Sequence, residues 1–182
     1  AGELQQQVYC GELIRVEVDK REMQGGAKNW EWIKKGVPLR MEIGPRDMEK
    51  GTVAVARRDM PPREKQFLAR DEVISGTGNI LGEIQQSLLA RATALRQSNT
   101  RNIDSMDDLV EYFTPSNPEK PEIHGGFALC HWAGSNEDEE KIAKDHKVTI
   151  RCIPNGREFI EEGKCILTGK PSSQRVIFAK AY

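Results

Sequence analysis

No stretch of this chain approaches the roughly 18 consecutive apolar residues that cross a bilayer, and no basic-then-apolar leader opens it. A membrane protein and a freshly exported one are therefore not what the residues suggest. Cysteine is sparse: Cys10, Cys130, Cys152 and Cys165 lie far apart with no paired framework. Reduced thiols in a cytoplasmic protein are the simplest reading. Internal repeats and low-complexity tracts are missing too, so neither a solenoid nor a disordered tail is expected. What remains is 182 residues, 37% hydrophobic and 30% charged, enough for one large or two small globular domains.

The net charge of −1 conceals an uneven distribution. Residues 20–70 hold 13 Lys and Arg against 7 Asp and Glu, whereas residues 102–145 hold 3 against 11. A polyanion would be drawn to the first region and repelled by the second. Two of the three tryptophans, Trp30 and Trp32, fall inside the basic region, together with Lys28, Lys34, Lys35, Arg40 and Arg46. Indole faces stack on unpaired bases, and cations beside them neutralise phosphates or read base edges, which is the chemistry of single-stranded RNA recognition. The bland alternative is that both indoles are packing residues and that Arg40 pairs with Glu42 or Asp47.

Periodicity places these residues on elements. Glu3 to Tyr9 reads as the tail of a helix, and Leu13 to Asp19 alternates like a strand. A short helix carries the tryptophans and ends at Gly36-Val37-Pro38, because proline disfavours helical geometry in the residue before it. Leu39, Met41 and Ile43 alternate with Arg40 and Glu42 in a strand that turns Arg40 away from the core. Arg46 follows Gly44-Pro45 at the strand's end. Thr52 to Arg57 reads as a third strand with Val53 and Val55 inward, and Met60-Pro61-Pro62 as a turn. Apolar residues from Val73 to Leu95 recur at helical spacing, with Gly76 to Gly82 as a flexible entry. Strands alternating with helices imply an α/β layer on a mostly parallel or mixed sheet flanked by helices, with a first strand expected upstream. Residues 98–103 suit a linker, dividing residues 1–98 from a small α+β domain over residues 103–182. In the latter, Ser105 caps a helix through Phe113, residues 126–132 form a strand, and residues 136–145 form a charged helix. Strands over residues 148–153 and 175–182 complete it. Cys130 and the strand residue Cys152 are expected to be buried, and the adjacent Cys130 and His131 point to opposite faces, so no thiolate-imidazolium pair forms.

The run from Trp30 to Asp47, with Val37-Pro38-Leu39-Arg40-Met41-Glu42-Ile43-Gly44-Pro45-Arg46-Asp47 at its centre, resembles the anticodon-binding region of prolyl-tRNA synthetases of the eukaryotic-archaeal type. The ending Phe178-Ala179-Lys180-Ala181-Tyr182 resembles that family's terminus. The resemblance implies a class II enzyme whose whole form uses ATP with magnesium to attach proline to tRNA(Pro). Its catalytic domain would lie in the same polypeptide, with no membrane or DNA partner. No catalytic motif falls in this segment. The family's arginine corresponds to Arg40, its basic residue after Gly-Pro to Arg46, and its acidic anticodon contact to Ile33, so that contact is absent or Glu31 takes it over. Lys28, Lys34 and Lys35 are expected on the RNA backbone. The family's four zinc-binding cysteines fall on Ala133, Asp138, Cys165 and Thr168, and one thiolate with one carboxylate cannot make a structural tetrahedral site. The family's terminal tyrosine, here Tyr182, turns toward the catalytic domain, or packs on its own domain. A regulatory or scaffold module that borrowed an anticodon-type domain is the alternative.

Overall fold

A computed structural model describes residues 1–120 and 125–180. The chain divides into two compact units, residues 1–92 and residues 93–182.

The first unit opens with a single 3-10 turn, Leu4–Gln6, rather than the tail of a longer helix. A two-residue hairpin follows, β1 (Val8–Tyr9) against β2 (Glu12–Leu13), closed by Cys10 at φ +51° and Gly11 at φ +82°. Two successive left-handed residues make a tight hairpin turn. The strand expected over residues 13–19 is thus confined to its first residue, since residues 14–20 find no strand to pair with. The hairpin docks on a later helix where Gly78 and Gly82 leave room. A Cβ on Gly78 would lie 3.1 Å from the Val8 carbonyl, so these glycines serve close packing rather than flexibility.

Next come α1 (Gly25–Lys34), β3 (Leu39–Glu42), α2 (Pro45–Lys50), β4 (Thr52–Arg57), β5 (Gln66–Ala69) and the long α3 (Arg70–Ser98). Helix α2 is sharply bounded. Pro45 sits in its first turn, Asp47 accepts a 2.9 Å hydrogen bond from the Gly44 N–H, and Gly51 closes it at φ +64°. Because α2 is only six residues, the β3–β4 connection is too short for a parallel crossover. The three strands accordingly run antiparallel in the order β3-β4-β5, not mostly parallel as the alternation of elements suggests. One face carries Leu39, Met41, Val53, Val55 and Leu68 onto Val73 of α3. The other carries Arg40 and Glu42 opposite the buried Ala56 and Ala54.

The second unit contains β6 (Thr100–Asn102), α4 (Met106–Phe113), β7 (Phe127–His131), α5 (Asn136–His146), β8 (Val148–Cys152), β9 (Ile160–Lys164) and β10 (Pro171–Lys180). The sheet runs β6-β7-β10-β8, with β9 also paired to β10, and among the described residues only β6–β7 is parallel. The expected linker is therefore partly a strand: Thr100–Asn102 pairs with the edge of β7. Alternation on β7 and β10 sends Ala128, Cys130, Val176 and Phe178 to one face, where Leu109, Phe113 and Ile142 from α4 and α5 cover them. Ser105 caps α4 as its sequence pattern predicts, and Ser135 caps α5 in a reciprocal capping box with Asp138. On the opposite face Arg175 is held between Asp104 at 2.7 Å and Glu161 at 2.8 Å, beside the buried His131. Cys130 is fully buried, and burial pushes its thiol up to about 12. Cys152, expected inside, is exposed, because it is the last residue of β8 where the covering elements end.

Candidate nucleic-acid interface

The basic-aromatic residues fall into two groups according to what holds them. Trp32 is internally committed. Its Nε1–H donates to Asp19 Oδ2 at 2.8 Å, and the Lys35 ammonium sits 4.2 Å from its ring centroid. Arg21 binds Asp19 and reaches Glu31 at 2.6 Å, while Lys28 donates to the Asp19 carbonyl at 3.3 Å. Arginine hydrogen bonds, with lesser help from Trp32, hold the Asp19 carboxyl well below the usual carboxylate range against a desolvation penalty that raises it. The same guanidinium lowers Glu31. Asp19 and Arg21 thus lash the segment before α1 to the helix, a role sequence reasoning missed. Glu31 is occupied by Arg21, which leaves it poorly placed to replace the acid absent at Ile33.

Trp30 is the other case. It is 60% exposed and makes no hydrogen bond or ring contact among the described residues. Residues i and i+2 on a helix face away from each other, so one indole is used internally and the other faces water. Lys34 and Arg46 are likewise exposed and unpaired among the described residues, Arg46 in the first turn of α2 rather than in a loop.

Arg40 departs from expectation. It does face away from the valine core, but that face is itself covered, and the residue is only 9% exposed. Helix α1 closes over it: Asn29 donates to Glu42 at 2.7 Å, and Ile33 lines a cavity of about 40 Å3 with Arg40. Arg40 pairs with neither Glu42 nor Asp47. Glu42 instead takes Lys65 at 2.6 Å, which with Asn29 outweighs desolvation and lowers its carboxyl, and Asp47 caps its own helix. Arg57 and Arg58 also line the cavity, brought there because β3 and β4 align Leu39 with Arg57. The adjacent Arg57-Arg58 pair closing an alternating strand was the available sequence signal.

In the second unit, Ala133, Cys165 and Thr168 converge while Asp138 does not. Burial raises the Cys165 thiol, but hydrogen bonds from Thr168 and from the Ala133 and Leu167 backbone outweigh it and lower the pKa. The Asp138 carboxylate accepts from the Ser135 N–H at 2.9 Å. A single thiol with its companion carboxylate spent on a cap does not fit a structural zinc. Tyr182 lies outside the described residues.

Against this geometry, residues 1–77 match the family model described as the anticodon binding domain, and residues 120–182 match that of the prolyl-tRNA synthetase C-terminal domain. Matching both in this order decides the family. The chain belongs to the C-terminal region of the prolyl-tRNA synthetases. Proline–tRNA ligase 2 of Anaeromyxobacter dehalogenans is 50% identical to it over 99% of this chain and 36% of that protein. Proline–tRNA ligase of Protochlamydia amoebophila is 45% identical over the whole chain and 36% of that protein. The crystal structure of prolyl-tRNA synthetase from Cryptosporidium parvum, complexed with L-proline and AMP, superposes with a TM-score of 0.74 at 28% identity. That match covers 93% of this chain and 34% of that one. The chain spans about a third of the length of the curated relatives it matches. Its mixed α/β architecture is that of the synthetase C-terminal region.

Proposed function

We propose that this chain recognises the anticodon of tRNA(Pro), as part of an enzyme that attaches proline to that tRNA using ATP and magnesium in a cytoplasmic catalytic domain. The anticodon-binding and synthetase C-terminal domain matches and the names of the relatives support this reading. The degenerate cysteine set at Ala133, Asp138 and Thr168, on a C-terminal domain of this kind, supports descent from the eukaryotic-archaeal type.

The observation that carries the anticodon reading is the presentation of unpaired binding groups on two successive helices. Trp30 and Lys34 are exposed on α1 and Arg46 on α2, with Lys35 exposed beside Trp32. Trp30 stacks on an unpaired base, Lys34 and Lys35 hold phosphates, and the Arg46 fork pairs with the O6/N7 edge of guanine. Arg40 is largely enclosed beside the small cavity under α1, so it reaches only acceptor atoms that project into that cavity. Lys28 and Glu31, engaged with Asp19 and Arg21, shape α1 rather than touch RNA.

Binding of an anticodon stem-loop carrying the two adjacent guanines is to be compared with that of one carrying adenines. A preference of tenfold or more for guanine is expected, since a bidentate contact discriminates by about 1–3 kcal/mol. Equal affinities would overturn base reading by this unit.

A further inference from the structure

Seven asparagines occur in the chain, and one of them, Asn155, precedes a glycine. The other six are restrained in different ways. Asn29 and Asn79 lie within α1 and α3 and are followed by the bulky Trp30 and Ile80, while Asn136 opens α5. Asn102 lies in β6, and the Asn99 side-chain amide donates to the Leu95 carbonyl at 2.8 Å. Asn117 precedes Pro118, whose nitrogen carries no proton. Asn155 escapes all of these restraints. It is exposed, outside the strands and helices, between β8 and the 3-10 turn Arg157–Phe159 that leads into β9. Its side chain makes no hydrogen bond among the described residues, and neither does the Gly156 N–H.

Those conditions favour a reaction of the chain with itself. Once the Gly156 nitrogen loses its proton to hydroxide, it attacks Cγ of Asn155. The N–Cγ bond forms, the Cγ–Nδ2 bond breaks, and Nδ2 leaves as ammonia after taking a proton from water. A five-membered succinimide remains. Water opens it at Cγ to give aspartate, or at the Asn155 main-chain carbonyl to give isoaspartate. Nothing is oxidised or reduced: amide and water become carboxylate and ammonium. Ring closure needs backbone freedom at residue 156, which glycine supplies because it has no Cβ. Glycine also suits the turn itself, since a Cβ at 156 would lie 2.3 Å from the Glu158 carboxylate oxygens.

We propose that Asn155-Gly156 is a self-modification site, at which the folded protein forms isoaspartate and becomes a substrate for a carboxyl methyltransferase acting on isoaspartyl residues. The site stands independently of whether the first unit reads an anticodon. In the isoaspartyl product the main chain runs through Cγ and is one atom longer. That atom enters between two tethered points. The Pro154 carbonyl accepts from Gln174 at 2.7 Å, and Glu161 holds Arg175 at 2.8 Å. The connection between β8 and β9 is therefore where the added length must be absorbed.

The test incubates the folded 182-residue chain at mildly alkaline pH and then digests it with trypsin. Cleavage after Arg151 and Arg157 isolates the peptide of residues 152–157. That peptide is expected to divide into asparaginyl, aspartyl and isoaspartyl forms on chromatography with mass spectrometry. Conversion there should outrun that at each of the other six asparagines by about tenfold or more, or about 1.4 kcal/mol in barrier. An isoaspartyl methyltransferase with a labelled methyl donor is expected to place its label in the same peptide. Asn155→Gln, which would have to close a larger ring, should remove the label, and Gly156→Ala should slow its appearance about tenfold. An unchanged 152–157 peptide in the aged wild type overturns the proposal. So does conversion spread evenly over the asparagines, or a label that survives in Asn155→Gln.

Discussion

Replacing the two indoles of α1 one at a time separates the surface that binds from the scaffold that supports it. Trp30 is 60% exposed and touches no partner among the described residues, so Trp30→Ala removes little that stabilises the fold. Surface changes of this kind stay within about 0.5 kcal/mol. Base stacking on an aromatic ring is worth about 1–3 kcal/mol, so the same substitution weakens anticodon stem-loop binding by about 5-fold to 150-fold. Trp32→Ala behaves in the opposite sense. It breaks a hydrogen bond to the charged Asp19, worth about 1.5–3 kcal/mol, and a cation–π contact with Lys35 worth about 0.5–1 kcal/mol. The expected loss of stability is therefore about 2–4 kcal/mol, with RNA affinity falling only as far as α1 is displaced. Urea denaturation supplies the stability, and fluorescence anisotropy of a labelled stem-loop supplies the affinity. Unchanged binding by Trp30→Ala, together with an intact urea midpoint, would refute the assignment of that ring as the stacking platform. Equal stability losses in the two variants would show that exposure is a poor guide to which indole the fold uses.

Three further outcomes are expected. In the native protein a thiol reagent modifies the exposed Cys10 and Cys152 quickly, whereas Cys130, buried with its thiol pushed up to about 12, reacts only after unfolding. Counting modified sites by mass spectrometry decides it. Asp19 is held below its ordinary value, so its contribution is complete above about pH 3.9 and is lost as the pH falls through the depressed folded value. The Trp32 indole N–H resonance should accordingly begin to move only below pH 3.9, and a midpoint above it would contradict the pairing. Gly163→Ala drives a methyl group to within 2.3 Å of the buried His131 ring, costing about 1–3 kcal/mol in urea titrations. His131→Ala in the same chain should recover most of that loss, and strict additivity of the two would exclude the clash.

Local signals were the readable ones. Ser105 announces its helix through a side-chain cap, and Thr52 to Arg57 announces β4 through alternation and a following turn. Three strands escaped notice for a shared reason. Thr100–Asn102, Gln66–Ala69 and Ile160–Lys164 are short and mostly exposed, with Leu68 the one side chain among them that packs on a core cluster, and each exists because a partner edge was available. The same limit hid the surroundings of Arg40. Alternation shows that Arg40 faces away from Leu39, but only the packing of α1 determines that this second face is roofed. Cys152 fails in the converse way, since strand periodicity continues to the end of β8 while the cover does not. At the site, the residue types were legible and their commitments were not. Nothing in the spacing tells Trp30 from Trp32, whereas the Asp19 hydrogen bond does so at once.

That distinction between possessing charge and presenting it has a measurable consequence for RNA binding. The 13 Lys and Arg of residues 20–70 give the region its long-range attraction, whatever their local partners. Counterion release depends instead on how many cations meet phosphates. In the segment from Lys28 to Arg46, Lys28 is tied to Asp19 and Arg40 is enclosed, which leaves Lys34, Lys35 and Arg46 exposed. With Arg46 on a base edge, Lys34 and Lys35 neutralise two phosphates. The slope of log K against log salt on a single-stranded loop is then about −1.4, since each phosphate contributes about −0.7. If most of the region's cations met phosphates, the slope would be several-fold steeper. Titrating the stem-loop between about 50 and 200 mM salt reads this number directly. A slope near −6 would mean that the ion pairs around Asp19 and Glu42 open to receive RNA, and that the enclosed state of α1 is not the one that binds.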